Sequence, residues 1–168
     1  DSIRVLPAIG IWVPPLPPVA GLASAVSMVR PADSPGRAAL GLDEMFQDLA
    51  GVYAANRYNF SLDQRLSIRG FGARSSFGVR GIKVLIDGIP QTLPDGSGQL
   101  TNLEPGALDL VQVLRGPSSA LYGNASGGVL SFTTEPPGPG PFSETVRGEG
   151  GSFGMMKVSS RTGGRSGS

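Results

Sequence analysis

Residues 110–134, with the sequence LVQVLRGPSSALYGNASGGVLSFTT, constrain the fold of this chain more than any other stretch. Residues 110–114 are apolar and β-branched around one glutamine, a pattern typical of a strand that is buried on both faces. Pro117 then predicts the first residue of a short helix, because the fixed φ of proline suits a helix start. Gly123 predicts the end of that helix, since glycine readily adopts the left-handed conformation. A second strand is expected over 129–134, so this stretch predicts the nucleus of a sheet.

Hydrophobic periodicity and turn residues predict the rest of the secondary structure. Apolar residues at helical spacing indicate a helix over 38–50. Two glycine-containing polar stretches, 73–78 and 91–98, are expected to be loops. The remaining predicted elements are strands over 25–29, 62–68 and 82–86, an extended segment over 52–59 and a helical turn over 103–109.

Glycine and proline divide the chain into three parts. The 26 glycines lie largely between patterned apolar runs in the middle, whereas the 15 prolines concentrate near the two ends. Proline at high density favours an extended segment without internal hydrogen bonds. We therefore expect an extended segment over 1–18, a folded domain over 19–137, and a linker with a β-hairpin over 138–168.

The two outer parts have separate patterns. The proline-rich start fits either an unstructured tail or a tethered strand, in which residues 2–6 add to the edge of a partner's sheet. Within 144–162, small or apolar residues alternate with charged ones at period two, around a turn at 152–154. This alternation suits a hairpin of a barrel with a wet interior.

Composition argues against several classes of function. The chain has no cysteine and no histidine, so thiol chemistry, imidazole acid–base catalysis and the usual zinc ligands are not available in it. The net charge of +1 gives no reason to expect nucleic acid as a partner. The glycine spacing matches neither nucleotide-binding fingerprint. We therefore expect no enzyme activity and no cofactor, and we predict neither catalytic nor metal-binding residues.

Two arginines stand in similar sequence contexts. Arg69 and Arg115 each follow an apolar strand and precede a glycine. Such residues are either solvated at the surface or paired with carboxylates on a neighbouring surface, where a guanidinium binds two oxygens at once. The chain offers few acids to match them, so partners outside it are expected.

The segments SIRGFGARSSFGVRGIKVLIDGIPQ and VQVLRGPSSALYGNASGGVLSF together resemble the plug domain of TonB-dependent outer-membrane receptors of the siderophore type. The resemblance covers 19–134. It implies an α+β fold in which a mixed four-stranded sheet with short helices lies inside a large β-barrel. It also implies that 144–162 form the opening hairpin of that barrel, most of which is absent, so a fragment or excised plug is expected.

The resemblance further implies where three kinds of contact lie. Arg69 and Arg115 match the two plug arginines that contact glutamates on the inner barrel wall. Asp1 to Val5 resemble the segment that pairs with TonB, with Ser2, Ile3, Arg4 and Val5 as the contact residues. The ligand-facing loops correspond to residues Arg74, Ser75, Ser76, Phe77, Gln91, Thr92 and Asp95.

The function implied is that of a gating and ligand-sensing plug in the active uptake of a scarce solute, with a ferric siderophore as the leading candidate. The plug would lie in the outer membrane with its N-terminus in the periplasm and TonB as partner. Without histidine or cysteine it would contact the periphery of the chelate and not the metal. The alternative is a free-standing periplasmic module that uses the plug fold to bind a partner protein.

Overall fold

The computed structural model describes residues 25–31, 40–47, 49–55, 64–75, 78–117, 119–138 and 140–165. The strands are β1 (Ala25–Val29), β2 (Val52–Ala55), β3 (Arg65–Ile68), β4 (Val79–Arg80), β5 (Ile82–Ile86), β6 (Ile89–Pro90), β7 (Ser97–Gly98), β8 (Leu108–Arg115), β9 (Gly128–Thr134), β10 (Ser143–Gly150) and β11 (Met156–Gly163). The α-helices are α1 (Leu42–Phe46) and α2 (Ser119–Tyr122), and 3-10 turns lie at Pro105–Ala107 and Ser152–Gly154. Among these residues no helix is long and apolar enough to cross a membrane.

A mixed sheet with the strand order β1-β8-β9-β5-β6 forms the centre of the molecule. Strand β8 pairs antiparallel with β1 and β9, whereas β5 runs parallel to β9. The predicted mixed sheet is thus confirmed, with β1, β8, β9 and β5 as its four long strands. The two-residue strand β6 adds a fifth at one edge, because Asp87 and Gly88 adopt positive φ and turn the chain back onto β5.

The stretch that opened the sequence analysis folds as predicted. Strand β8 ends at Arg115, α2 occupies one turn, and β9 begins at Gly128. Gly116 and Gly123, which flank α2, have φ of 109° and 61°. Residues with β-carbons rarely adopt such values, so these glycines set where the helix begins and ends.

Other elements differ from the sequence-based predictions. The helix predicted over 38–50 is α-helical only over Leu42–Phe46, because the N–H of Leu49 donates to Phe46 and that of Val52 to Leu49, which turns the chain towards β2. The extended segment predicted over 52–59 contains the regular strand β2, which pairs with β3, and residues 56–59 lie outside the described residues. The loop expected over 91–98 contains β7, which pairs with β4.

Apolar side chains cover both faces of the central sheet. On one face α1, β2 and β3 pack over the sheet, and the rings of Phe46 and Phe132 meet edge to face with centroids 6.5 Å apart. On the other face a smaller cluster joins Leu85, Leu114 and Val129 to Tyr122 of α2. Burial there raises the pKa of the Tyr122 phenol. The four apolar residues that predicted the first helix, Leu42, Met45, Phe46 and Leu49, all lie in the larger core.

The hairpin β10–β11 packs against one end of this domain through its charged side. The two strands are antiparallel, with Gly148 opposite Val158 and Glu149 opposite Lys157. Side chains alternate in direction along a strand, so Val146, Met156 and Val158 share one face and Arg147, Lys157 and Arg161 share the other. The predicted hairpin and its turn at Ser152–Gly154 are confirmed.

Candidate functional site

A cleft of about 620 Å³ opens at the end of the central sheet where β5 and β9 begin. It lies between the loop that follows β3 and the loop that precedes β7. Three of the predicted ligand-facing residues, Arg74, Ser75 and Asp95, line it together. The other lining residues are Phe71, Gly72, Arg80, Gly81, Ser97 and Ser126.

The loop after β3 is held by backbone turns and by one arginine. The N–H groups of Ile68 and Phe71 each donate to the carbonyl oxygen of the other at 3.0 Å, which closes a tight turn. The guanidinium Nη2 of Arg65 donates to the carbonyl oxygen of Ala73 at 3.0 Å. Arg74 therefore directly follows a part of the loop whose backbone is held by these hydrogen bonds.

Two glycines let this loop lie close to the sheet. A β-carbon at Gly72 would lie 2.5 Å from the carbonyl oxygen of Leu66, and one at Gly127 would overlap the side chain of Phe71. Phe71 is consequently seated on the backbone of Gly127 with 49% of its surface exposed. An aromatic face is thereby fixed at the edge of the cleft.

The second wall of the cleft is fixed by Asp95 and Asn124. One carboxylate oxygen of Asp95 accepts from the Ser97 N–H at 3.0 Å and from the Ser97 hydroxyl at 2.7 Å. These hydrogen bonds, with a smaller effect of the Arg80 charge, lower the pKa of Asp95, so its carboxylate stays ionised at neutral pH. The amide Nδ2 of Asn124 donates to the carbonyl oxygen of Pro94 at 2.9 Å.

The other predicted ligand-facing residues lie elsewhere. Gln91 lines a neighbouring cleft of about 430 Å³ that shares Ser97 with the first. The hydroxyl of Thr92 is buried without a hydrogen-bond partner among the described residues, and its methyl group lies against Gly98. Ser76 and Phe77 lie outside the described residues. The same holds for the residues predicted to contact TonB, Ser2, Ile3, Arg4 and Val5.

Arg69 and Arg115 have different surroundings in spite of their similar sequence contexts. Arg69 is exposed in a turn at φ 50°, and its N–H donates to the carbonyl oxygen of Gly51 at 2.8 Å. Arg115 ends β8 and is half-buried, and its Nη2 donates to the hydroxyl of Ser27 on β1 at 2.7 Å. Its Nε is buried without a partner among the described residues. The Nε–H group can therefore still donate a hydrogen bond to an acceptor.

Sequence reasoning missed Arg80 and Phe71, which also line the cleft. A signal for Arg80 was present, since it precedes Gly81 just as Arg69 and Arg115 precede glycines. Arg80 follows one buried valine in a two-residue strand, so the apolar run that marked the other two arginines is absent here. The position of Phe71 depends on Gly127, which is distant in sequence.

The charged face of the hairpin makes ion pairs with the sheet domain at the end opposite the cleft. Lys157 pairs with Glu104 at 3.4 Å, and Arg161 pairs with Glu135. Arg161 also donates to the carbonyl oxygen of Pro136 at 2.6 Å. The opposite, apolar face of the hairpin is exposed. The period-two alternation predicted one charged and one apolar face, and the structure turns the charged face towards the sheet domain.

Within the described residues, no group of three or more carboxylates could hold a metal ion. The family model of the TonB-dependent Receptor Plug Domain matches residues 18–129. The chain belongs to this family. The match spans β1 to the start of β9, including every described residue of the cleft.

Individual relatives agree with this assignment. The chain is 35% identical over 107 residues to a hemin receptor of Yersinia enterocolitica and 32% identical over 100 residues to a pesticin receptor of Yersinia pestis. These alignments cover 61% and 59% of this chain but 14% of each receptor. The chain thus corresponds to a small part of the length of these two receptors.

Solved structures show the same fold. The ferric yersiniabactin uptake receptor FyuA from Yersinia pestis superposes with a TM-score of 0.59 at 24% identity, over 80% of this chain and 20% of that one. The identity is too low to carry a ligand across, so the likeness is one of fold. The predicted plug fold is confirmed by it.

Proposed function

We propose that this chain is the gating and ligand-sensing plug of an outer-membrane receptor that takes up a scarce solute, with a ferric siderophore as the leading candidate. Membership of the plug family carries the proposal. It is supported by the cleft at one end of the sheet and by a hairpin whose charged face meets the opposite end. It is also supported by the relatives, since one is a hemin receptor and the other a pesticin receptor.

The mechanism we propose is coupling between the cleft and the N-terminal segment. A solute bound between the loops after β3 and before β7 would favour one arrangement of the plug, and TonB bound at Ser2, Ile3, Arg4 and Val5 would favour its displacement. Such coupling requires that the solute bind the two arrangements with different affinity. Strand β1 supports this coupling, because its first residue, Ala25, pairs with Arg115, which lies opposite Gly128 at the end of the sheet where the cleft opens.

The proposal is tested by uptake of a panel of radiolabelled ferric chelates into iron-starved cells that carry the full receptor gene. We expect TonB-dependent uptake of at least one chelate, and we expect deletion of residues 2–5 to abolish both uptake and crosslinking to TonB. Deletion of residues 13–16, which removes the same length from the proline-rich stretch, is the matched control and should leave crosslinking intact. Crosslinking that survives loss of residues 2–5 would contradict the TonB assignment, and uptake of no chelate would contradict the function.

Arg69 and Arg115 are proposed to bind glutamates on the inner wall of the barrel. The unpaired Nε of Arg115 is suited to this, because a buried guanidinium N–H without an acceptor is costly. We expect Arg69→Ala combined with Arg115→Ala to loosen the plug and to raise the permeability of the receptor to antibiotics too large for ordinary porins. Arg30→Ala, at an exposed arginine that follows β1, is the control. Equal permeability of the double variant and the control would contradict the role.

A further inference from the structure

We propose that the cleft selects for negative charge on the solute, through Arg74 and Arg80, and that Phe71 adds contact with an apolar or aromatic part of the same molecule. The inference rests on the proposed function and specifies its substrate class. Both arginines line the one cleft of about 620 Å³. Arg80 was not among the ligand-facing residues expected from the sequence, and nothing in the family assignment names it.

The charges of the cleft favour an anion. Two arginines line the cleft together with a single acid, Asp95. Neither guanidinium makes a hydrogen bond or an ion pair among the described residues, although Arg80 acts on Asp95 electrostatically at longer range. Asp95 is already bonded by the N–H and hydroxyl of Ser97. The cleft therefore holds an excess of positive charge whose donors remain available to a solute.

The chemistry of these donors defines what they would bind. Guanidinium groups bind pairs of coplanar anionic oxygens through two parallel hydrogen bonds. Free carboxylates on the periphery of an iron chelate present such pairs, and the iron-bound oxygens of a tris-catecholate carry its negative charge. Phe71, half exposed on the edge of the cleft, offers an aromatic face to the apolar frame that carries these oxygens.

Each wall of the cleft is held by a hydrogen bond within the chain. Arg65 holds the loop of Arg74 through Ala73, and Asn124 holds the opposite loop through Pro94. Donors that are already in place lose little conformational freedom on binding, and this strengthens discrimination between ligands. Neutral solutes of the same shape would offer the two guanidinium groups only uncharged acceptors, which form weaker hydrogen bonds than anionic oxygens do.

The test compares matched probes on the full-length receptor by equilibrium binding. Hemin, with two carboxylates, is compared with its dimethyl ester, and a ferric tris-catecholate, which is anionic, with a ferric tris-hydroxamate, which is neutral. We expect the unmodified receptor to prefer the anionic member of at least one pair by roughly tenfold or more, since hydrogen bonds to charged groups are the stronger ones. Arg74→Gln combined with Arg80→Gln should remove this preference, and Arg30→Gln should retain it.

Each outcome has a distinct meaning. Preference within the hemin pair assigns the site to carboxylates, and preference within the chelate pair assigns it to catecholates. An anionic preference that persists in the double variant would overturn the inference and leave the proposed function intact. The inference would also be overturned if the double variant bound anionic and neutral probes equally weakly and had a lowered melting temperature. That result would assign the two arginines to contact with the barrel. If the receptor takes up a chelate but shows no charge preference, only the inference is overturned. If no probe binds or enters, the inference and the proposed function are both overturned.

Discussion

Replacement of Gly128 by alanine is expected to unfold the central sheet. Gly128 begins β9 at φ 139°, opposite Arg115 of β8 and beside Ile82 of β5. A β-carbon there would overlap the carbonyl oxygen of Leu114 and approach the Cα of Arg115 to 3.4 Å. These are backbone atoms of a central strand, so neither can move aside without breaking the pairing of β8 with β9. We expect a loss of about 3 kcal/mol or more in the free energy of unfolding, the range of severe overpacking and backbone strain.

The measurement is a urea titration of the chain followed by far-ultraviolet circular dichroism. Gly148→Ala is the matched control, because Gly148 also lies in a strand but has nothing within 4 Å of its β-carbon position. Its substitution should change the free energy of unfolding by about 0.5 kcal/mol or less. Comparable midpoints for the two variants would show that the close approach of β8 and β9 is not a constraint.

Replacement of Phe132 by alanine is expected to have a similarly large effect through loss of packing. Phe132 lies in the middle of the core with 0% of its surface exposed. Its ring meets Phe46 of α1 edge to face at an interplanar angle of 62°, so it joins the helix to the sheet. Truncation of a buried phenylalanine leaves a cavity and typically costs about 3–5 kcal/mol. Since a domain is stabilised by roughly 5–15 kcal/mol in total, much of the chain would unfold at low urea.

The control for this variant is Phe142→Ala, at a phenylalanine with 68% of its surface exposed. We expect a change of about 0.5 kcal/mol or less there, because a surface substitution creates no cavity. Phe132→Leu should fall between the two, since leucine refills part of the space. If Phe132→Ala cost no more than Phe142→Ala, the core described here would not be the one that stabilises the chain.

Local chemistry made parts of this fold predictable. The unit from β8 to β9 is specified by residues that set the conformation of the neighbouring backbone, such as Gly116, Pro117 and Gly123. The hairpin β10–β11 was predictable for a similar reason, since period-two alternation defines both its strands and its two faces. The apolar stripe of α1 predicted the correct buried residues. It did not predict the early end of the helix, because hydrogen bonds at Leu49 and Val52 compete with helical ones.

The candidate site was predictable only in part. Arg74, Ser75 and Asp95 were predicted to lie in one site because the resemblance implied that both of their loops face the ligand. Thr92 was predicted with them, but its hydroxyl is buried and its methyl group packs on Gly98. Arg80 and Phe71 were missed, because their positions depend on contacts with strands and loops that are distant in the sequence. Residues 2–5 and Arg69 remain predictions, as does the contact of Arg115 with the barrel.

By itself, then, the sequence determined the plug family, the β8–α2–β9 unit, the hairpin and the lack of histidine or thiol chemistry. These depend on residue type and on spacing within short segments. Only the tertiary structure decided the parallel pairing of β5 with β9, the bond of Arg115 to Ser27, and the meeting of Arg74 with Arg80 beside Phe71. The physical reason is that such contacts join residues far apart in the chain, and close packing at Gly72, Gly127 and Gly128 selects which of them can form.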